Sequence, residues 1–236
     1  MKQAAHSART TAFTLLELLV VIAVIGILAS LLFPTISKGK ARAHSAQCVN
    51  NLRQWGLAIR AYADDNDDVL PHRGQGVQVL TRIDRPEDWF NALPFYLGSK
   101  SFQDLLASGQ APKPKANSIF ICPDATDPGS NYFLAYAMNM NLSPWSLPHP
   151  TRFRDIVLPS LVVAMADGPG QYSATYPSAN PYSPVPRHSQ RANLLFLGGQ
   201  AKAYESNYIG CGIGDPQHQD VRWLTGTDSD AGAGKY

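Results

Sequence analysis

The chain has 236 residues, 44% of them hydrophobic and 16% charged, with a formal net charge of +2. That length allows one ordinary globular domain with an appendage, and few charges beside 18 Gly and 18 Pro exclude a coiled coil, an acidic disordered chain or a plain helical bundle. Twenty Lys+Arg against 18 Asp+Glu leave no clustered basic footprint, so no nucleic-acid partner is expected.

Residues Ala12–Phe33 form a 22-residue apolar run with one charge, Glu17. As a helix the run spans about 33 Å, enough for a bilayer core. It is longer than the apolar part of a cleavable secretory signal and lacks an Ala-x-Ala site, so a retained transmembrane helix is expected. Lys2 and Arg9 precede it while Lys38, Lys40 and Arg42 follow it, so the positive-inside rule does not orient it. A carboxylate at mid-membrane costs about 2.5–3.5 kcal/mol, so Glu17 either snorkels to the headgroups or finds a cationic partner. Gly26 and Pro34 cost about 1 and 3 kcal/mol in an ordinary helix interior. Membrane helices tolerate both residues, and a segment that bends on leaving the bilayer would use them.

Ala12-Phe13-Thr14-Leu15-Leu16-Glu17 followed by an apolar run resembles the processing site of type IV prepilins and type II secretion pseudopilins. The resemblance implies a leader, residues 1–12, cut by a prepilin peptidase between Ala12 and Phe13, and methylation of the new Phe13 amine. It further implies that Glu17 pairs with the N-terminal amine of a neighbouring subunit during assembly, and that Gly26 and Pro34 sit where pilin helices often carry such residues. Ala12 stands where the family usually has Gly. Amine and carboxylate are each expensive in an apolar layer and much less so together, so their pairing sets an axial offset between subunits. The implied partners are prepilin peptidase, other pilin or pseudopilin subunits, secretion or pilus assembly machinery, and the membrane. The implied location is the bacterial inner membrane, single-pass, with an extracytoplasmic head.

After Pro34 the apolar positions narrow to a stripe, Cys48, Leu52, Trp55, Ile59 and Tyr62, whose spacing predicts an amphipathic helix with one buried face. The expected helix covers 13–63, with 13–33 in the membrane and 34–63 as the spine of a head formed by 64–236. Asp64, Asn66 and Asp68 alternate like the start of a calcium loop. However, Val69 and Gln75 stand where an EF-hand needs Gly and Glu. Carboxylates there oppose the helix dipole and favour ending the helix. No cofactor is expected: calcium could be held by these residues or by Asp215 and Asp220, but no metal-ligand spacing supports it.

In the head, residues 77–80, 118–122, 161–166 and 193–197 read as strands, and 87–97 and 102–106 as short helices. The Pro-rich span 169–186 reads as an irregular loop carrying Tyr172, Tyr176 and Tyr182. Gly198-Gly199 between two apolar runs predicts a two-residue hairpin turn with positive φ at both glycines. A subset of pilin-like proteins ends in His, nine residues, then Asp-Gly. The pattern here is similar, with His188 followed by nine residues and Gly198-Gly199, and Gly198 replaces the Asp. Cys48 with Asn50-Asn51-Leu52, and Cys122-Pro123, also resemble that subset. Cys48, Cys122 and Cys211 allow one bridge in three ways or free thiols; the favoured bridge is Cys48–Cys122, tying spine to strand. His188 lacks a matched base, nucleophile or ligand spacing and reads as a structural histidine, as do the scattered His72, His149 and His218. No zincin, Cys-x-x-Cys, nucleophile-elbow or phosphate-loop motif occurs, so no enzyme is expected.

The expected fold is α+β: a long N-terminal helix on a small antiparallel sheet with irregular loops and a fraying tail from Thr225. The expected function is a structural subunit of a pseudopilus or pilus-like filament. The alternative is a single-pass membrane-anchored extracytoplasmic binding domain that does not polymerise.

Overall fold

The computed structural model describes residues 15–75, 80–126, 129, 132–143, 150–176, 183–209 and 218–224. The chain divides into two compact units, Met1–Arg42 and Ala43–Tyr236. One helix, α1 (Leu15–Asp65), contributes to both. Residues 13 and 14, where the expected helix begins, lie outside the described residues.

In the first unit the helix continues through Gly26 and Pro34. Ser30 and Thr35 turn their hydroxyls back to donate to the carbonyls of Ile27 and Leu32, each at 2.7 Å, and Ser37 donates to Phe33 at 3.1 Å. Such bonds hide side-chain polarity in a helix that has little else to hide it.

The second unit holds five strands: β1 (Leu134–Asn139), β2 (Val163–Gly170), β3 (Ala174–Thr175), β4 (Arg191–Phe196) and β5 (Ala201–Glu205). Their order across the sheet is β3-β1-β2-β4-β5. All pairings are antiparallel except β1–β3, which is parallel, so the sheet is mixed and not the purely antiparallel one expected. Two short helices, α2 (Trp89–Ala92, continued as a 3-10 turn over Leu93–Leu97) and α3 (Phe102–Ala107), lie where the pattern places them.

The stripe on α1 forms one side of the main core. Cys48, Leu52, Trp55 and Ile59 are buried against Trp89, Phe102, Phe120, Met165 and Leu195. Trp55 meets Trp89 and Phe120 at ring-centroid distances of 5.3 Å, and its indole N–H donates to the Ile119 carbonyl at 3.1 Å. Edge-to-face packing with a satisfied N–H is what a buried Trp needs. A second cluster is formed from β2 and β4. There Val163, Ala166, Leu194 and Phe196 pack with Ile209, Val221 and Trp223. The central strands are therefore buried on both faces, which is why they read as continuous apolar runs.

Several local expectations are corrected. Residues 118–122 are turns, not a strand: α1 side chains bond their carbonyls, Trp55 to Ile119 and Asn51 to Ser118 and Ile121. β1 is missing from the sequence reading, and Leu80 stands outside any strand; residues 77–79 lie outside the described set. β2 continues through Gly168 and Pro169, into the span read as loop. The β1–β2 register shifts between Leu134 and Tyr136, and such an irregularity lets a strand carry a Pro that cannot donate. At the hairpin only Gly199 has positive φ, 88°. Leu195 pairs with Ala201, so the turn is longer than two residues. Gly198 serves close approach instead: a Cβ there would lie 2.9 Å from Ser160 Cα.

Candidate functional site: the apolar helix and a buried polar cluster

Two features of the chain invite a functional reading, one in each unit. The first is the exposed apolar helix. Leu15, Leu16, Ile22, Ile27, Leu31 and Phe33 are 61–82% exposed, and the intervening Leu, Val and Ile residues are exposed as well. Apolar side chains thus cover every face of the helix from residue 15 to 33, with no polar side for water. Among the described residues this is the one helix long and apolar enough to cross a membrane. Glu17 is exposed among the first described residues of this helix. A Cβ added at Gly26 would meet nothing within 4 Å, so no packing inside the chain demands glycine there. Ala12 and Phe13, and with them the leader, the cleavage and the methylation, lie outside the described residues.

The second feature is a polar cluster inside the head. Cys48 of α1 and Cys122 form a disulfide across 74 residues of sequence, with Cα atoms 5.2 Å apart. The favoured pairing is therefore present, although Cys122 sits in a loop and not on a strand. Cys211 lies outside the described residues. Beside the bridge, His188 Nε2 is 3.3 Å from Cys122 Sγ and 3.7 Å from Asp167 Oδ2. The other ring nitrogen, Nδ1, is 3.0 Å from Asp124 Oδ2, while Asp124 Oδ1 is 2.5 Å from His44 Nδ1 on α1. Asp167, fully buried on β2, accepts the Asn193 backbone N–H at 2.8 Å and has Arg187 Nη1 3.8 Å away. Burial pushes the Asp167 carboxyl up and the Arg187 guanidinium down from their ordinary pKa values, and their mutual attraction opposes both shifts. Arg187 also donates to the carbonyls of Ala135 and Gly168. Tyr136 accepts from Asn51 Nδ2 at 3.2 Å, and burial raises its phenol well above the usual value.

His188 is thus buried in the middle of this cluster, with Cys122 beside one ring nitrogen and Asp124 beside the other. Sequence reasoning missed Asp124, Asp167, Arg187 and His44. The first three lie in loops or on a strand that carry no periodic signal, and contacts 66 or 80 residues apart leave no local trace. Gly198 and Gly199 form the turn that follows β4 and do not touch His188 through any described hydrogen bond.

Two of the acidic residues at and just after the end of α1 have partners within the head. Asp64 pairs with Arg60 at 2.9 Å, and Asp68 Oδ2 accepts the Arg154 N–H at 2.7 Å. Asp220 accepts from the Tyr208 hydroxyl at 2.8 Å, and Asp215 lies outside the described residues.

Residues 8–33 match the family model of the prokaryotic N-terminal methylation motif. Among curated proteins, the chain is similar to the type II secretion system core protein G of Vibrio cholerae serotype O1, 36% identical over 80 residues, covering 34% of this chain and 54% of that protein. It is similar to core protein G of Klebsiella pneumoniae, 39% identical over 72 residues, covering 30% of this chain and 51% of that protein. It is also similar to the type IV major pilin protein PilA of Myxococcus xanthus, 33% identical over 67 residues, covering 28% and 30% of the two chains. The chain spans about half the length of the core protein G relatives it matches. No solved structure matches. The chain thus carries the methylation motif on a helix that is apolar on every face, and over about a third of its length it is similar to core protein G and to a major pilin.

Proposed function

We propose that the chain is a structural subunit of a type II secretion pseudopilus or type IV pilus-like filament. Before assembly, residues 13–33 anchor it once through the inner membrane, with the head outside the cytoplasm. Prepilin peptidase removes residues 1–12, Phe13 is methylated, and the Glu17 carboxylate pairs with the Phe13 ammonium of a neighbouring subunit. The observation that carries this reading is the helix that the methylation motif opens: its apolar residues from Leu15 to Phe33 are exposed on all faces. Such a surface requires lipid before assembly and equivalent helices after it. Exchanging lipid for protein contacts gains little hydrophobic energy, so packing and the buried ion pair must select the filament register. Gly26, with open space where a side chain would stand, leaves room for a neighbouring helix to approach closely.

The test is Glu17→Ala in cells that carry the assembly machinery. The variant is expected to be inserted and processed at wild-type level, with sheared filaments falling at least tenfold. Filaments in normal amount from that variant, or a mature N-terminus other than Phe13 by mass spectrometry, defeat the reading. The first outcome also separates a filament subunit from a membrane-anchored binding domain, which has no use for the pair.

A further inference from the structure

We propose that Cys48, Cys122 and His188 constitute a binding site for a borderline-soft divalent transition ion, zinc in chemical class, in the dithiol form of the head. Side chains from three separate parts of the chain converge there: the middle of α1, the loop at 122, and the segment that leads into β4. Their ligand atoms all lie within 4.8 Å of one another, and all three residues are buried. Two thiolates with one imidazole is a donor set that favours zinc over calcium or magnesium, which take oxygen ligands.

The imidazole is oriented as a ligand should be. Nε2 faces the sulfurs, 3.3 Å from Cys122 Sγ, while Nδ1 lies against Asp124 Oδ2 at 3.0 Å. A carboxylate beside the far nitrogen is the outer partner that a metal-bound imidazole commonly has. Asp124 is in turn held by His44 at 2.5 Å, so the orienting carboxylate is itself positioned from α1. Three protein ligands leave a fourth tetrahedral position for water or an external ligand.

The disulfide and the ion exclude each other, because sulfurs bonded to one another are not thiolates. Passage between the states requires a dithiol reductant. By thiol–disulfide exchange it delivers two electrons and two protons to the Cys48–Cys122 bond and closes its own sulfurs into a disulfide. Binding of the ion then releases the two thiol protons. The head would therefore hold α1 to the 122 loop by a covalent bridge under oxidising conditions and by a coordinate one when reduced. Neither form depends on the filament role proposed above.

The experiment uses the full chain in detergent, reduced with a phosphine and titrated anaerobically with Co(II) and then Zn(II). The reduced protein is expected to take one ion per chain, with thiolate-to-cobalt charge-transfer absorption that zinc abolishes; the oxidised protein takes none. His188→Ala should weaken binding at least tenfold, and Asp124→Asn by about 10- to 100-fold. If reduction unfolds the head, zinc-dependent recovery of its near-ultraviolet circular dichroism supports the site, and failure to recover overturns it. Absence of the cobalt–thiolate band in folded reduced protein overturns it, as does equal affinity in the Cys48→Ser/Cys122→Ser or His188→Ala variants.

Discussion

Arg187 and Asp167 face each other inside the head, Nη1 to Oδ1 at 3.8 Å, with both side chains almost wholly removed from solvent. Neither ion could stand there alone. Removing one partner of a buried pair costs about 3–5 kcal/mol because the other charge is left uncompensated, whereas removing both is much cheaper. Arg187→Met is therefore expected to destabilise the head by about that amount. The Asp167→Asn/Arg187→Met double variant should lose clearly less than the sum of the single losses. Chemical denaturation of all four proteins supplies the coupling energy, and strict additivity would show that the carbonyls of Ala135 and Gly168, not Asp167, hold the arginine.

This network also marks where sequence reasoning stops. The α1 stripe was legible because Cys48, Leu52, Trp55 and Ile59 recur at helical spacing and are buried together. The exposed run from Leu15 was legible because composition alone separates it from a soluble helix. β1 was not, because Leu134-Ala135-Tyr136-Ala137-Met138-Asn139 is buried throughout and shows no alternation of polar with apolar. Residues 118–122 misled for the opposite reason: they are apolar and β-rich, but side chains of α1 occupy carbonyls that a strand would offer to a neighbour. Asp124 and Asp167 carry no local pattern at all, and their role follows only from what the topology sets beside His188.

Gly198 fills the place where the similar C-terminal pattern has Asp. A Cβ there would fall 2.6 Å from Gln200 Oε1 and 2.9 Å from Ser160 Cα, and the second of these is backbone. The Gly198 N–H donates to Pro159 at 3.0 Å, so the turn is tied to the loop that crowds it. Gly198→Asp should therefore destabilise the head by about 1–3 kcal/mol, through displacement of residues 159–160. A thermal melt that stays within about 1 °C of wild type would show that this loop yields without cost, since 1 kcal/mol corresponds to about 2–4 °C in a chain of this size.

Gly56 faces the sheet from α1, and a Cβ there would lie 3.0 Å from Leu195 Cδ1. The obstacle is the end of a flexible side chain, so Ala is expected to cost little. A β-branched residue must displace Leu195 from the main core, and Gly56→Val should cost about 1–3 kcal/mol. Leu195→Ala should relieve part of that loss in the double variant while opening a cavity of its own. Equal stability of Gly56→Ala and Gly56→Val in denaturant unfolding would contradict the close packing of helix on sheet.

Asp88 precedes α2 with its carboxylate buried, and neither oxygen makes a hydrogen bond among the described residues. Arg85 Nε stands 3.8 Å away, close enough to attract but not to satisfy it. Burial, against that attraction, pushes the carboxyl up to about 6 from an ordinary 3.8. The folded head then keeps this proton up to about pH 6, whereas the unfolded chain releases it near pH 3.8. Folding takes up a proton between those limits, so this group lowers stability as pH rises through the window. At neutral pH the penalty is of order 2–3 kcal/mol, from about 1.4 kcal/mol per pKa unit. Asp88→Asn removes the charge while keeping the shape. It should therefore stabilise the head at pH 7, match wild type near pH 4, and flatten the contribution between them. Denaturant unfolding at pH 4, 5, 6 and 7 checks this, and a variant less stable than wild type at pH 7 would mean that the carboxylate is better solvated or paired than its surroundings indicate.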